Sequence, residues 1–269
     1  TDLWVAAYVH GKAIDPQPLD SIFNSDSREA GHGKSKKGSF YFTSNRDDLN
    51  QCCGDVYYAQ LESGEYAQIQ KSDMLSSEAD EESLFLSPDE NYIIVQAWKS
   101  DSKHDLYISY RTKRGEWTAP KKLNDDINGK EIEQRPFVSP DNKFLFFSRM
   151  SITSKNGQTV YDADIYWVST KAVFAPYVYN TEIEASIKYN EAFELNLPKD
   201  LLKDLDDEKL SFQLTLDNNS AIPEWMEFDY EQFILSGIWT TKETLKFKLK
   251  ATDSSGNHEE FIFELEPKL

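Results

Sequence analysis

Three glutamates recur at a fixed interval. Glu29, Glu81 and Glu133 stand 52 residues apart, each six residues ahead of a serine (Ser35, Ser87, Ser139). Carboxylates repeated at equivalent places in a symmetric fold have two uses. Aimed at a common axis, they raise one another's pKa or hold a cation. Turned into the fold, each bonds a backbone group or an arginine. A basic residue follows in every copy: Arg46, Lys99 and Arg149. Cations at one loop edge would grip a ligand carboxylate or an acidic sugar. His32 and His104 fall near the same loops, whereas His10 and His258 stand apart. No H-E-x-x-H, G-x-S-x-G or Gly-rich phosphate loop is present, so no catalytic residue is nominated.

The stretch "LNQCCGDVYY" (49–58) carries both cysteines, Cys52 and Cys53. A structural zinc site needs about four ligands and a redox dithiol needs C-x-x-C, so neither is expected. Two readings remain: reduced thiols in a turn, or a disulfide between adjacent residues, which an oxidising compartment permits.

The elements that must position these residues also repeat. "EAGHGKSKKGSFYFTSN", "EESLFLSPDENYIIVQA" and "EQRPFVSPDNKFLFFSR" begin at the three glutamates. Each reads as an inner strand, a tight Ser-Pro-Asp type turn and an apolar strand. A second phrase follows each copy: "DVYYA" at Asp55, "DLYIS" at Asp105 and "DIYWV" at Asp164, with "DLWVA" opening the chain at Asp2. A third phrase ends at Asn24 in "KAIDPQPLDSIFN" and at Asn128 in "RGEWTAPKKLNDDIN", with a weaker copy between them. Val, Ile and aromatic residues dominate, as pleated half-buried strands prefer. Four strands per unit of this length read as propeller blades.

The expected fold class is therefore all-β: a partial β-propeller of about three and a half four-stranded blades over 1–175, a connector over 176–190, and a β-sandwich over 191–269. Period-two alternation in "LKFKLKAT" and "EFIFELE" marks the sandwich. The chain of 269 residues carries a net charge of −18, which repels phosphate backbones and anionic lipid. Nucleic acid and direct membrane insertion are not expected. No apolar run approaches the about 20 residues of a membrane helix. The chain begins with Thr and shows no signal peptide, so a mature form or a piece of a longer chain is expected.

The phrases "RPFVSPDNKFLFFSR", "SPDENYIIV", "DLYISYRTKRGEWTAPKKLNDDIN" and "DIYWV" closely resemble the WD40-like repeats of TolB-type β-propellers. The resemblance implies a bacterial, extracytoplasmic protein of the periplasm or cell surface, which favours the Cys52–Cys53 disulfide. It does not choose a function, because such propellers include scaffolds, sugar-linked enzymes and regulatory domains. A closed ring typically takes at least about four blades, so further blades or a second chain are expected to complete it.

The marks "D.D...L.F", "P.W..F", "LSG" and "A.D..GN" resemble the dystroglycan-type cadherin-like or Ig-like domain. They fall at Asp204, Asp206 and Leu210; Pro223, Trp225 and Phe228; 235–237; and Ala251, Asp253, Gly256 and Asn257. The resemblance implies Trp225 in the sandwich core and calcium at Asp204, Asp206 and Asp253, completed by oxygens from elsewhere. One departure is "SGIW", where a Pro after the Gly would be usual.

The expected function is non-catalytic: a binding or scaffold protein recognising a protein or glycan through the propeller face. The alternatives are a glycan-processing lyase or hydrolase whose channel site further blades complete, and a structural subunit of a cell-envelope complex. Candidate ligand-binding residues are Glu29, Glu81, Glu133, Arg46, Lys99, Arg149, His32 and His104. Titration of the unfolded, unreduced protein with a thiol reagent is expected to find no free thiol; two thiols would leave Cys52 and Cys53 reduced.

Overall fold

The computed structural model describes residues 2–47, 53–66, 68–98, 104–206 and 209–268. It is all-β, and the chain divides into two compact units. The first holds Thr1–Arg111 and Trp117–Val173, the second Thr112–Glu116 and Phe174–Leu269.

The first unit is an incomplete propeller. An antiparallel hairpin, Trp4–Val9 with Lys12–Pro18, supplies the last two strands of one blade. The first full blade orders Glu29–Lys34, Phe40–Ser44, Asp55–Ala59 and Gln70–Lys71. The second orders Asp80–Leu86, Tyr92–Trp98, His104–Tyr110 and Lys121–Lys122. The third has three strands among the described residues, Ile132–Val138, Phe144–Lys155 and Gln158–Ser169. All pairings are antiparallel.

Second strands read as continuous apolar runs because blades cover both of their faces: "FYFTS" is buried throughout and "YIIVQAW" in all but its last residue. One core joins Tyr41 and Val56 of the first full blade to Leu84, Leu86, Ile93 and Val95 of the second. Gly31 lies where the two inner strands approach most closely. A Cβ there would meet the Ser83 backbone, and its φ of 24° lies outside the usual L-residue regions.

Two repeated devices hold each blade's shape. Ser35, Ser87 and Ser139 accept the amide that closes the turn, from Ser39 (3.1 Å), Tyr92 (3.1 Å) and Phe144 (3.1 Å). Asn24 and Asn128 tie the third strand to the loop after the fourth. Asn128 Oδ1 accepts from the Leu106 amide (2.8 Å), and its Nδ2 donates to the carbonyls of Leu106 and Leu123 (both 2.9 Å). Asn24 makes the same three bonds to Leu3 and Leu19. In the middle copy Ser76 takes the Val56 amide (3.0 Å).

The second unit is a sandwich of two three-stranded sheets. One pairs Ala192–Asn196, Ile234–Ile238 and Met226–Asp229; the other pairs Ser211–Leu216, Leu245–Thr252 and His258–Leu265. The unit starts earlier than the sequence suggested, and residues 176–190 are part of it rather than a connector. Tyr177–Val178 pairs with Leu202–Lys203, Ile187–Lys188 runs parallel to Pro267–Lys268, and Ile187 is in the core. Trp225, expected at the centre, is only partly buried. The fully buried ring is Trp239, from the departing "SGIW" phrase, with Trp225 packed edge-on at 5.5 Å. Gly237 lets its strand approach the backbone at Trp225, since a Cβ there would strike the Trp225 carbonyl.

Replacing Asn128 with Ala strips a buried strand amide and two carbonyls of their partner. This is expected to cost on the order of 3 kcal/mol of propeller stability, read as a lower denaturant midpoint with an unchanged slope.

Candidate functional site

The repeated glutamates are all withdrawn from solvent. Each is buried at the start of its inner strand, with Glu29, Glu81 and Glu133 exposed by 2, 1 and 0%. An ionised carboxylate removed from water has to be compensated. In the first full blade Glu29 Oε1 accepts from Ser25 Oγ (2.5 Å), Ser44 Oγ (3.0 Å) and the Arg46 guanidinium (3.3 Å). Arg46 also donates to the carbonyls of Ile22 (3.1 Å) and Phe23, and lies over the rings of Phe42 (4.9 Å) and Tyr57 (5.2 Å).

The third blade repeats this socket. Arg149 Nε donates to Glu133 (2.8 Å), and its Nη2 donates to the carbonyls of Asp126 (3.3 Å) and Ile127 (2.8 Å). The guanidinium covers Phe147 (5.6 Å) and Tyr166 (4.8 Å). Arg46 and Arg149 were expected to grip a ligand. The structure corrects this: both are mostly buried and spend their donors on the chain's own carboxylates and carbonyls. Burial still holds the Glu133 carboxyl above its usual range, against the opposing pull of the Gly129 amide and Arg149.

The second blade differs. The residue paired with Glu81 is Ala97, where the third blade pairs Arg149 with Glu133. Glu81 accepts from Ser77 Oγ (2.7 Å) and more distantly from the Ser77 amide (3.4 Å). Among the described residues no cationic side chain reaches it. Lys99 lies outside the described residues. Burial pushes the Glu81 carboxyl up to about 7, the Ser77 bonds pull it down, and Asp55 and Asp80 add to the rise. Beside it is a cavity of about 90 Å³, lined among others by Met74, Leu75, Ser77, Val95, Ala97 and Tyr107.

A second constellation lies where the inner strands bulge. The register shifts between Gln96 and Ala97, opposite Glu82, and again between Gln134 and Phe137. Bulges re-aim side chains. Arg28 bridges Glu82 (3.0 Å) and Asp80 (3.1 Å). Ser83 Oγ donates to Gln96 Oε1 (2.5 Å), so the Gln96 amide is left to donate to Glu82 (3.3 Å) and to His104 Nδ1 (2.8 Å). The His104 ring stacks on Trp98 at 5.6 Å, and Trp98 is 47% exposed. The Arg135 amide, in a backbone with φ of 56°, donates to Ser83 Oγ (3.0 Å). Sequence reading found His104 but missed Arg28, Glu82, Gln96 and Trp98, which carry no repeat signal. His32 is apart, exposed and stacked on Phe40 at 5.9 Å.

The aspartates of the second phrase are pinned by fourth-strand lysines, Asp55 by Lys71 and Asp105 by Lys122 (both 2.7 Å). In the sandwich, Asp253 accepts from Ser255 and Asn257 of its own turn, and Asp204 from the Asp206 amide (3.1 Å). Asp204, Asp206 and Asp253 are not gathered into a metal-holding group among the described residues. Cys53 is disulfide-bonded, and Cys52 lies outside the described residues.

A family described as Putative Ig domain matches residues 175–267. Among solved structures the chain is similar to TolB from Acinetobacter baumannii, at 12% identity over 95% of this chain and 47% of that one, with a TM-score of 0.34. It is also similar to a periplasmic gluconolactonase of Pseudomonas aeruginosa, PpgL, at 13% identity over 98% of this chain and 76% of that one, with a TM-score of 0.34. The chain thus spans less than half the length of that TolB chain. No curated protein matches it.

The raised Glu81 pKa has a defined sign. The folded state holds this proton more tightly than the unfolded chain, so stability is full below pH 4.5 and falls as pH rises to about 7. The loss is on the order of 3 kcal/mol. Comparing denaturant unfolding from pH 4.5 to 7.5, the wild type should lose on the order of 3 kcal/mol more than Glu81→Gln; equal losses would contradict the raised Glu81 pKa.

Proposed function

We propose that this chain is an extracytoplasmic bacterial binding or scaffold protein, without a covalent step, that recognises a protein or glycan at the bulged rim of its inner strands. The observation that carries this reading is the exposed Trp98 ring, held by His104 and backed by Gln96, Glu82 and Arg28. A flat aromatic face beside fixed donors and acceptors suits a sugar ring or a peptide. The disulfide at Cys53 fits an oxidising compartment. The sandwich, read as the dystroglycan-type cadherin-like kind, serves as spacer or adhesion module.

A second reading, a structural subunit of an envelope assembly, is favoured by the apolar outer strand of the third blade. Ile165 is 79% exposed there, beside exposed Tyr161 and Trp167. Patches of this kind mark interaction surfaces.

Screening wild type and Trp98→Ala on a glycan array and a displayed peptide library tests the proposal. Retained ligands should lose at least tenfold in affinity with the variant and be recovered chemically unchanged. Equal retention by the variant would overturn the rim assignment, and an altered ligand would make the protein an enzyme.

A further inference from the structure

The sockets share most of their parts, but the arginine is supplied in two ways: Arg149 is itself paired with Glu133, whereas Arg46 stands two residues past Ser44, the partner of Glu29. The carbonyls that receive the guanidinium belong to Ile22 and Phe23 in one blade and Asp126 and Ile127 in another. Midway between them, 52 residues from each, stand Met74 and Leu75. Ser77 holds Glu81 as Ser25 holds Glu29. Tyr107 pairs with Val95 as Tyr57 pairs with Phe42 and Tyr166 with Phe147. The second blade thus presents the carboxylate, two carbonyl positions and the tyrosine ring. What the other two sockets have in addition, among the described residues, is the guanidinium; the second-blade position matching Arg46 is Lys99, outside the described residues, and the cavity adjoins Glu81.

We propose that the Glu81 cavity is a binding site for a guanidinium group brought by a ligand: an arginine side chain of a bound peptide, or a free small molecule with the same head group. The floor is Glu81, Leu75, Val95 and Ala97, all buried, and the rim carries the exposed Met74 and Ser77. A head group can therefore enter from solvent past a flexible thioether. The volume of about 90 Å³ is several times the about 10–15 Å³ that a single water needs, which leaves room for one planar head group. Ala97 and Val95, smaller than Arg149 and Phe147 at the paired positions, supply that room. The chemistry favours guanidinium over ammonium. One planar fork serves a carboxylate and two carbonyls at once while its face lies on a ring, as in both sister sockets. This site is separate from the Trp98 rim and does not depend on the function proposed above.

Calorimetry on the whole chain tests it, with agmatine as probe and N-carbamoylputrescine as control, which keeps the same terminal ammonium but has a neutral urea in place of the guanidinium. Agmatine is expected to bind at least tenfold more tightly than the control, and Glu81→Gln to lose that preference. Ala97→Arg, which places an arginine opposite Glu81 as in the third blade, is expected to abolish binding and raise the melting temperature; it keeps the test open should Glu81→Gln fold poorly. If acetyl-Gly-Arg-Gly-amide outbinds agmatine, the source is a peptide chain; the reverse order points to a free small cation, and either supports the site. Equal binding of agmatine and its urea analogue would overturn the proposal. So would agmatine binding to Lys99→Ala but not to the wild type, because the chain's own lysine would then fill the socket.

Discussion

Each blade begins with a carboxylate that has no access to water, and much of the propeller is arranged around compensating it. In two blades an arginine lies between that carboxylate and the carbonyls of the loop arriving from the previous blade's outer strand. One side chain therefore fixes the start of the inner strand, the end of the preceding blade and the aromatic pair beneath it. A buried pair of this kind adds little net stability over an apolar isostere, but losing one partner is costly. Its contribution is geometric. It sets which loop meets which strand, and the Asn24 and Asn128 clasps then lock the third strand to the same loop.

The order that the sockets impose lets the inner strands bulge in a controlled way. Beyond each glutamate the register slips, and the slipped residues carry the rim network rather than the core. Gln96 is the hinge of that network: its carbonyl is taken by Ser83, which leaves its amide for Glu82 and His104. Trp98, at the end of the same strand, gains a fixed stacking partner while keeping half its surface in solvent. The core of the second blade and its exposed aromatic rim thus meet on one strand.

Much of this was legible in the sequence. The 52-residue interval, the Ser-Pro-Asp turns and the Asp-x-Tyr phrases follow from strand and turn chemistry that leaves a strong local signature, so blades and strand order could be read directly. The roles of Arg46 and Arg149 could not. A basic residue after a strand looks the same whether it faces solvent or turns inward, and its partners Ile22, Phe23, Asp126 and Ile127 are backbone groups without a residue code. Trp239 was missed for a related reason: its packing against Trp225 is a contact between residues far apart in the chain, which leaves no local pattern. The short pairings of Tyr177–Val178 and Ile187–Lys188 are too brief to leave a periodic pattern, which is why 176–190 read as a connector.

A repeat protein reveals function where one copy departs from the others while its surroundings do not. Here Glu81 keeps the serine of the first full blade and the tyrosine of both, and pairs with Ala97 where the first full blade pairs Ser44 and the third Arg149, with no cation reaching it among the described residues. The most direct measurement is a carboxyl carbon NMR titration of Glu81, with and without saturating agmatine. A midpoint near 7 in the free chain, falling below 4.5 when agmatine is bound, is the predicted result. A midpoint already below 4.5 in the free chain would contradict it, because the carboxylate would then have its cation within the chain.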